Sequence, residues 1–108
     1  MSEVLEQLEQ TIAARKAADP EQSYVASLHA KGLNKILEKV GEEATEVILA
    51  AKDVQGDKGR DDVVGEVADL WFHSMVMLSH LDINLREVTD CLAERFGVSG
   101  HEEKASRG

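Results

Sequence analysis

Residues 33–54 read LNKILEKVGEEATEVILAAKDV, and this stretch decides the fold. Its apolar residues recur at steps of three and four, which places them on one face of an α-helix. We therefore predict an amphipathic helix from about Leu33 to Val54. Gly41 lies inside it, and because a glycine costs about 1 kcal/mol in a helix interior, we expect another part of the molecule to approach closely there. The apolar face consists of Leu33, Ile36, Leu37, Val40, Ala44, Val47, Ile48 and Ala51.

A second long helix is predicted after a loop of turn-forming residues, 55–59. It starts at Asp61 or Asp62, whose charge favours the positive end of a helix, and runs to about Leu81. More than half of its circumference is apolar, so it must be buried on several sides. The other helices of one short chain cannot cover it, and we expect self-association to at least a dimer. Trp71 is interpreted as a core residue. The polar stripe consists of Asp62, Glu66, Asp69, His73 and His80.

The N-terminal part is predicted to form an amphipathic helix over about residues 2–18. Asp19 and Pro20 end it, because the residue before a proline avoids helical dihedral angles. Ser23 is expected to cap a short turn. Gly32 is expected to break the chain before the next helix.

The last predicted helix begins after Asn84, which forms a capping box with Glu87. Gly97 stops it. Strand patterns are absent from the sequence, so the fold class is all-α. We expect a single domain over residues 1–97 and a polar tail over residues 98–108. The inner face of the last helix is expected to be Leu85, Val88, Leu92 and Phe96.

Composition restricts the classes of function. The chain has 108 residues and a net charge of -9, which argues against nucleic acid as a partner because its phosphates require clustered Lys and Arg. No apolar run approaches the roughly 18 residues of a membrane span, and the acidic N-terminus lacks a signal-peptide pattern. We therefore expect a cytoplasmic protein. The single cysteine, Cys91, excludes an intrachain disulfide and a multi-cysteine zinc site. The sequence contains no phosphate-binding loop, dinucleotide fingerprint or nucleophile elbow.

Five carboxylates are concentrated on the two long predicted helices. Glu42, Glu43 and Glu46 share about one helical turn. Glu66 and Asp69 repeat the three-residue step on the next helix, which the short loop makes an antiparallel neighbour. Carboxylates this close repel one another unless a positive charge lies between them. Oxygen ligands without cysteine or adjacent histidine favour Mg²⁺ or Mn²⁺ over zinc or copper. The pattern therefore favours a divalent metal site over the alternative, a solvated acidic face.

Two other polar residues accompany the acids. Lys39 could be a salt-bridge partner within its helix, as Lys35 and Lys52 could, but because it lies in the same arc as the acids it is a candidate phosphate ligand. His73 follows Asp69 by one turn, where it can donate a hydrogen bond to Asp69 or contact a phosphate; the alternative is a capped histidine at the surface. A redox di-iron centre would need Glu-x-x-His pairs from two helices. No histidine of this sequence has Glu three residues before it, so that alternative is disfavoured.

A family resemblance covers nearly the whole chain. Glu42, Glu43 and Glu46 followed by Glu66 and Asp69 resemble the signature of the MazG-like all-α nucleotide pyrophosphohydrolases. Within that group the chain is similar to the phosphoribosyl-ATP pyrophosphohydrolase family of histidine biosynthesis. The residues that carry this closer resemblance are Ser23, Tyr24, Leu28, Gly32, the run from Lys39 to Ala44, the run from Ala68 to Leu70, His73, Ser99, Gly100 and the run from Glu103 to Ala105.

The resemblance implies a helical bundle of about four main helices whose core is completed by homodimerisation. It also implies hydrolysis of phosphoribosyl-ATP to phosphoribosyl-AMP and pyrophosphate with Mg²⁺. The next enzyme of that pathway, a cyclohydrolase, is expected to be a separate protein. One alternative is a pyrophosphohydrolase that removes ordinary or modified nucleoside triphosphates. Another is a non-catalytic acidic helical adaptor for a basic partner.

Each site residue receives a role in this hypothesis. The metal is expected to be held by four acids. Glu42, Glu43 and Glu46 are the expected catalytic residues, because an acid that the metal does not fully use can orient or deprotonate water. The leaving pyrophosphate would contact Lys39, assisted by Lys52 or a basic residue of the tail. His73 is assigned to substrate binding. The expected metal ligands are Glu43, Glu46, Glu66 and Asp69.

Overall fold

A computed structural model describes residues 2–97 of the chain. The prediction of an all-α fold is confirmed, because the elements of this part are helices accompanied by one isolated bridge between Gln55 and Lys58. Across residues 2–97 no helix has the length and apolar character that a membrane crossing requires. The helices are α1 (Glu3–Arg15), α2 (Tyr24–Lys31), α3 (Leu33–Lys52), α4 (Arg60–His80) and α5 (Leu85–Phe96).

The centre of the fold is the antiparallel hairpin of α3 and α4, which form the most extensive helix-to-helix contact. Its loop is held by two backbone hydrogen bonds between Gln55 and Lys58, of 3.0 and 2.9 Å. Gly59 then precedes α4 with φ of 88°, a left-handed conformation that glycine adopts without steric cost. Asp61 and Asp62 lie in the first turn of α4, as expected from their charge.

The hydrophobic core occupies the end of the hairpin that is distant from this loop. All five helices contribute to it, but α3 contributes only its beginning and α4 only its last third. The buried apolar side chains form one continuous cluster. They are Ile12, Val25, Leu28, Ile36, Met75, Val76 and Leu85.

The loop half of the hairpin is therefore poorly covered. Ile48 and Leu49 of α3 are 60% and 58% exposed, and Val64 and Trp71 of α4 are 69% and 55% exposed. The expectation that Trp71 is a core residue is not met within one chain, because more than half of its surface is exposed. The dimer expected from the apolar girth of α4 stays a prediction, and this exposed surface is the one that it would cover.

The N-terminal segments differ from expectation at their boundaries. The first helix ends at Arg15, because Lys16 and Ala18 already form tighter turns by donating to Ala13 and Arg15, at 3.3 and 3.0 Å. The expected short turn after Ser23 is an eight-residue helix, α2. Ser23 caps it as predicted, since its hydroxyl oxygen accepts a hydrogen bond from the N–H of Ala26 at 3.2 Å.

Helix α5 is attached to the rest of the fold by its first turn. The predicted capping box of Asn84 and Glu87 is present, and Gly97 ends the helix in a left-handed conformation. Leu85 is buried, and its N–H donates to the carboxylate of Glu9 at 2.6 Å. The expected inner face is otherwise open: the exposed fractions are 37%, 47% and 68% for Val88, Leu92 and Phe96.

The two remaining expectations about the fold concern Gly41 and the tail. Gly41 does not mark a close approach within the chain, because a Cβ added there would meet no atom within 4 Å. The expected polar tail, residues 98–108, lies outside the described residues.

Candidate active site

Three glutamates form a cluster where α3 and α4 face each other. Glu43 and Glu46 lie three residues apart on α3, and Glu66 lies on α4. Each offers a carboxylate oxygen, and these oxygens all lie within 4.8 Å of one another. Residues three apart are neighbours on a helix surface, so the antiparallel hairpin brings the predicted acids together.

The cluster contains carboxylate oxygens that lack a hydrogen-bond donor. Glu43 is only 7% exposed. One oxygen of Glu43 and one of Glu66 are buried, and no donor of the described residues bonds to them. A buried carboxylate without a compensating partner is costly. The cluster therefore has the chemistry of a cation site: converging oxygen ligands whose charge is not neutralised.

The pKa values of two of these glutamates respond to this crowding. The pKa of Glu43 is raised above 4.5 by burial first, then by Glu46 and Asp69, while Lys39 opposes the shift. The pKa of Glu66 is raised first by its hydrogen-bonding contact with Glu46, then by desolvation. The leading cause differs between the two glutamates, but the neighbouring negative charges of Glu46 and Asp69 contribute to both pKa shifts. A bound divalent cation would remove this cost.

Asp69 has a different place from the other three expected metal ligands. It is exposed and lies outside the group of three converging carboxylates. Its charge nevertheless raises the pKa of both Glu43 and Glu66. The structure thus brings three of the four expected ligands to one point and leaves Asp69 beside them, one turn after Glu66 on α4.

Lys39 and Glu42 form an ion pair at the edge of the cluster. Their side-chain atoms Nζ and Oε2 are 3.1 Å apart, and the Lys39 side chain is 26% exposed. The hydrogen bond to Glu42 raises the pKa of Lys39, so the ammonium group stays charged. The exposed Lys52 lies about 220° around α3 from Lys39 at ~100° per residue. This position on another side of the helix does not favour a substrate-binding role for Lys52, which stays a prediction.

His73 lies next to the cluster, one turn after Asp69, and is buried, with 6% of its surface exposed. Its Nδ1 is 2.8 Å from the backbone carbonyl oxygen of Asp69 and 4.0 Å from Oε1 of Glu43. The expected hydrogen bond to Asp69 is therefore made, but to its backbone and not to its carboxylate. The other ring nitrogen, Nε2, is 2.8 Å from the hydroxyl of Tyr24. Contact between His73 and a phosphate stays a prediction.

Sequence reasoning did not place Tyr24 in the site. It was singled out only as part of the family resemblance, because nothing in its spacing relates it to a histidine 49 positions later. Its position after the N-cap of α2 was the one local indication that its direction is fixed.

Comparison with known proteins agrees with the resemblance found in the sequence. A model of the phosphoribosyl-ATP pyrophosphohydrolase family matches residues 5–96. The phosphoribosyl-ATP pyrophosphatase of Hydrogenovibrio crunogenus is 55% identical over 106 residues, which cover 98% of this chain and 94% of that protein. The chain belongs to the phosphoribosyl-ATP pyrophosphohydrolase family. The assignment to this family of hydrolases, made from the sequence, is thereby confirmed.

Every residue of the candidate site lies inside the part of the chain that matches the family. The match begins before α2 and ends with α5, so it includes Tyr24, the α3 acids and His73. The three converging glutamates provide hard oxygen ligands and no sulfur, which fits Mg²⁺ or Mn²⁺. The residues present are therefore suitable for the metal that the sequence led us to expect.

Proposed function

We propose that this protein hydrolyses phosphoribosyl-ATP to phosphoribosyl-AMP and pyrophosphate in histidine biosynthesis, using Mg²⁺ or, in its place, Mn²⁺. The observation that carries the metal-dependent chemistry is the pair of buried carboxylate oxygens, on Glu43 and Glu66, that no described donor reaches. The choice of substrate is supported by family membership and by the name of the Hydrogenovibrio crunogenus relative.

The metal would be held by Glu43, Glu46 and Glu66, with Asp69 completing the set from the next turn of α4. When bound there, Mg²⁺ would supply positive charge that neutralises phosphate oxygens and makes the phosphorus easier to attack. The four carboxylates fix its position, and their mutual repulsion in its absence gives the site its affinity. The chain itself needs no nucleophile for this reaction, because water attacks the anhydride directly.

Glu42 and Lys39 complete the reaction at the edge of the cluster. Glu42 lies outside the three converging glutamates, and although its Oε2 pairs with Lys39, its side chain is 48% exposed, so the carboxylate can still orient or deprotonate the attacking water. Lys39 keeps its charge, and its ammonium group stabilises the negative charge that develops on the departing pyrophosphate. Roles for Lys52 and His73 in substrate binding stay predictions.

We further propose that the protein works as a homodimer. The exposed apolar side chains of the hairpin, among them Ile48, Val64 and Trp71, support this, since an exposed apolar surface of this kind marks an interaction site. The net charge of -9 disfavours nucleic acid as a partner. The cytoplasmic location stays a prediction from the sequence.

The decisive experiment is product analysis. The purified protein is incubated with phosphoribosyl-ATP and Mg²⁺, and release of pyrophosphate is measured against release of single phosphate. We expect pyrophosphate and phosphoribosyl-AMP in equal amounts, and no turnover in EDTA. Free ATP and deoxynucleoside triphosphates are tested in parallel. A higher kcat/KM for those nucleotides would replace the proposal by a nucleotide-removing pyrophosphohydrolase. Absence of turnover with every nucleotide would favour the acidic adaptor.

A further inference from the structure

Tyr24 is held beside the acid cluster by three contacts. Its hydroxyl lies 2.8 Å from Nε2 of His73. Its ring stacks on Phe72, with centroids 6.2 Å apart and planes inclined by 19°. The His73 ring meets it edge-on, at a centroid distance of 5.7 Å. Tyr24 therefore has one orientation, although 51% of its surface is exposed.

The direction of each hydrogen bond follows from its acceptor. The backbone carbonyl of Asp69 can only accept, so Nδ1 of His73 carries the hydrogen that it receives. In the neutral ring Nε2 is then the acceptor, and the hydroxyl of Tyr24 donates to it. The resulting chain of donors runs from α2, through the buried ring of His73, to the turn of α4 that bears two of the expected metal ligands.

This chain ends beside two carboxylates of the cluster. The same Nδ1 edge of His73 lies 4.0 Å from Oε1 of Glu43, whose other oxygen is buried without a donor. Because Glu43 is 7% exposed, the ring of His73 is one of the surfaces that determine where its carboxylate can lie. A fixed orientation of the His73 ring therefore restricts the position of the Glu43 carboxylate.

We propose that Tyr24 is a positioning residue of the metal centre, which acts through His73 on Glu43 and on the backbone of Asp69. The inference rests on the proposed function, because it assumes that the cluster binds Mg²⁺. Tyr24 contacts neither metal nor reacting atoms. Its hydroxyl holds His73 in the orientation and tautomer that keep the ring edge beside Glu43. Hydrogen-bond partners of this kind, one step removed from a metal, change metal affinity or activity by about 10–100-fold when they are lost.

The test measures Mg²⁺ binding to the substrate-free protein by isothermal titration calorimetry. Tyr24→Phe removes the hydroxyl and keeps the ring, so the stacking on Phe72 is retained. We expect the Mg²⁺ affinity to fall by about 10–100-fold, and the Mg²⁺ concentration for half-maximal turnover to rise in parallel. KM for the nucleotide at saturating Mg²⁺ should change less than the Mg²⁺ affinity, because Tyr24 acts on the metal centre and affects the substrate only through His73.

The chain offers a matched control on the same helix. His29 also joins α2 to α4, through a 2.9 Å contact between its Nδ1 and that of His80, but it lies away from the carboxylates. His29→Phe therefore removes an equivalent contact and should leave Mg²⁺ affinity unchanged. Equal losses in Tyr24→Phe and His29→Phe would overturn the proposal, since they would show a general loosening of α2.

A double-mutant cycle tests whether Tyr24 acts through His73. His73→Phe should lower Mg²⁺ affinity by itself, and adding Tyr24→Phe should then have no further effect. Additive losses would overturn the proposed route. If the wild-type protein binds no Mg²⁺, the proposed metal centre fails and the inference fails with it. If it binds Mg²⁺ and Tyr24→Phe binds equally well, only the inference fails. Thermal unfolding of each variant establishes that it is folded.

Discussion

The polar stripe of α4 has two halves that the chain completes to different degrees. In the N-terminal half, Glu66 converges with Glu43 and Glu46 of α3 while Asp69 lies beside them, and buried oxygens of Glu43 and Glu66 have no donor among the described residues. In the C-terminal half, His73 and His80 meet α2, where side chains bond to both rings. Among the buried side-chain atoms of this half in the described residues, Nε2 of His29, on the α2 side, is the one without a hydrogen-bond partner.

The difference separates polar side chains that hold the helices together from polar side chains that are available to a ligand. The histidine half is satisfied almost entirely by the chain itself, so its side chains contribute to holding α2 against α4. The carboxylate half destabilises the metal-free chain, because the negative charges of Glu46 and its neighbours repel one another when no cation lies between them. A site that is costly until a ligand binds is typical of a functional centre.

The largest expected effect is on the carboxylate half. Glu46→Gln removes the acid that contacts both Glu43 and Glu66, and we expect kcat/KM with phosphoribosyl-ATP to fall by more than about 100-fold, since a direct ligand matters more than its hydrogen-bond partners. The same change should raise the melting temperature of the metal-free protein, because one of several crowded negative charges is removed. Steady-state kinetics and thermal unfolding in EDTA measure the two results.

Glu38→Gln is the control for that variant. Glu38 lies on the same helix but pairs with Lys35 at 3.4 Å, away from the cluster. We expect unchanged kcat/KM, because an exposed ion pair of this kind contributes little. If both variants lose activity equally, the site is not specific to the clustered acids and the contrast between the two halves disappears.

The next effect concerns the surface around the carboxylate half. Trp71→Gln removes a large exposed apolar side chain without changing the charge near the metal centre. If the dimer buries this residue, association should weaken by about 2 kcal/mol, roughly thirtyfold in Kd. Analytical ultracentrifugation of the variant and the wild type measures the change. Val4→Gln, on α1 and 70% exposed, is the control. A wild-type protein that is monomeric at micromolar concentration would contradict the dimer.

The sequence was sufficient for the features that repeat along one helix. The apolar spacing of α3 predicted its extent to within two residues at its C-terminal end, Lys52 instead of Val54. The three-residue steps of Glu43 to Glu46 and of Glu66 to Asp69 predicted that acids of neighbouring helices would meet. Both inferences use only the period of the helix and the antiparallel return of a short loop.

The features that the sequence did not predict depend on contacts between distant segments. Tyr24 and His73 are 49 positions apart, and His29 and His80 are 51 apart, so no local period relates them. Periodicity likewise identified the apolar face of α5 but not what covers it, and Phe96 is 68% exposed. An apolar pattern shows which side of a helix seeks burial, whereas the packing of whole elements decides whether one chain provides it.

A smaller effect is expected at the start of α2, the helix that carries both partners of the histidine half. Ser23→Ala removes the hydroxyl that accepts from the N–H of Ala26, and the free energy of unfolding should fall by about 1 kcal/mol. Urea denaturation measures it. Ser27→Ala, inside the same helix, should be neutral or slightly stabilising, because alanine is the better helix former. Equal losses in both variants would show that the cap contributes nothing specific.

The smallest effect distinguishes the two halves by the sign of their pH dependence. Burial, then His80 and Lys16, lower the pKa of His29 below 6.5. The unfolded chain therefore binds more protons there, and stability falls as the pH drops below about 6.5. Burial, then Glu46 and Asp69, raise the pKa of Glu43 above 4.5. The folded protein consequently binds more protons, and the stability of the metal-free form rises as the pH falls through the raised pKa towards 4.5.

Two variants separate these opposite contributions. Melting temperatures are measured in EDTA across the pH range from about 6.5 to about 4.5, in which both groups titrate. His29→Asn should remove the loss of stability on acidification and make the profile rise more steeply towards low pH, by a few degrees for a domain of this size. Glu43→Gln should remove the part of the gain that Glu43 contributes, leaving the contribution of Glu66, whose pKa is also raised, and so make the rise towards low pH shallower. If both variants shift the whole curve by a constant amount and leave its slope unchanged, neither group titrates differently on folding, and the electrostatic contrast between the two halves of α4 is wrong.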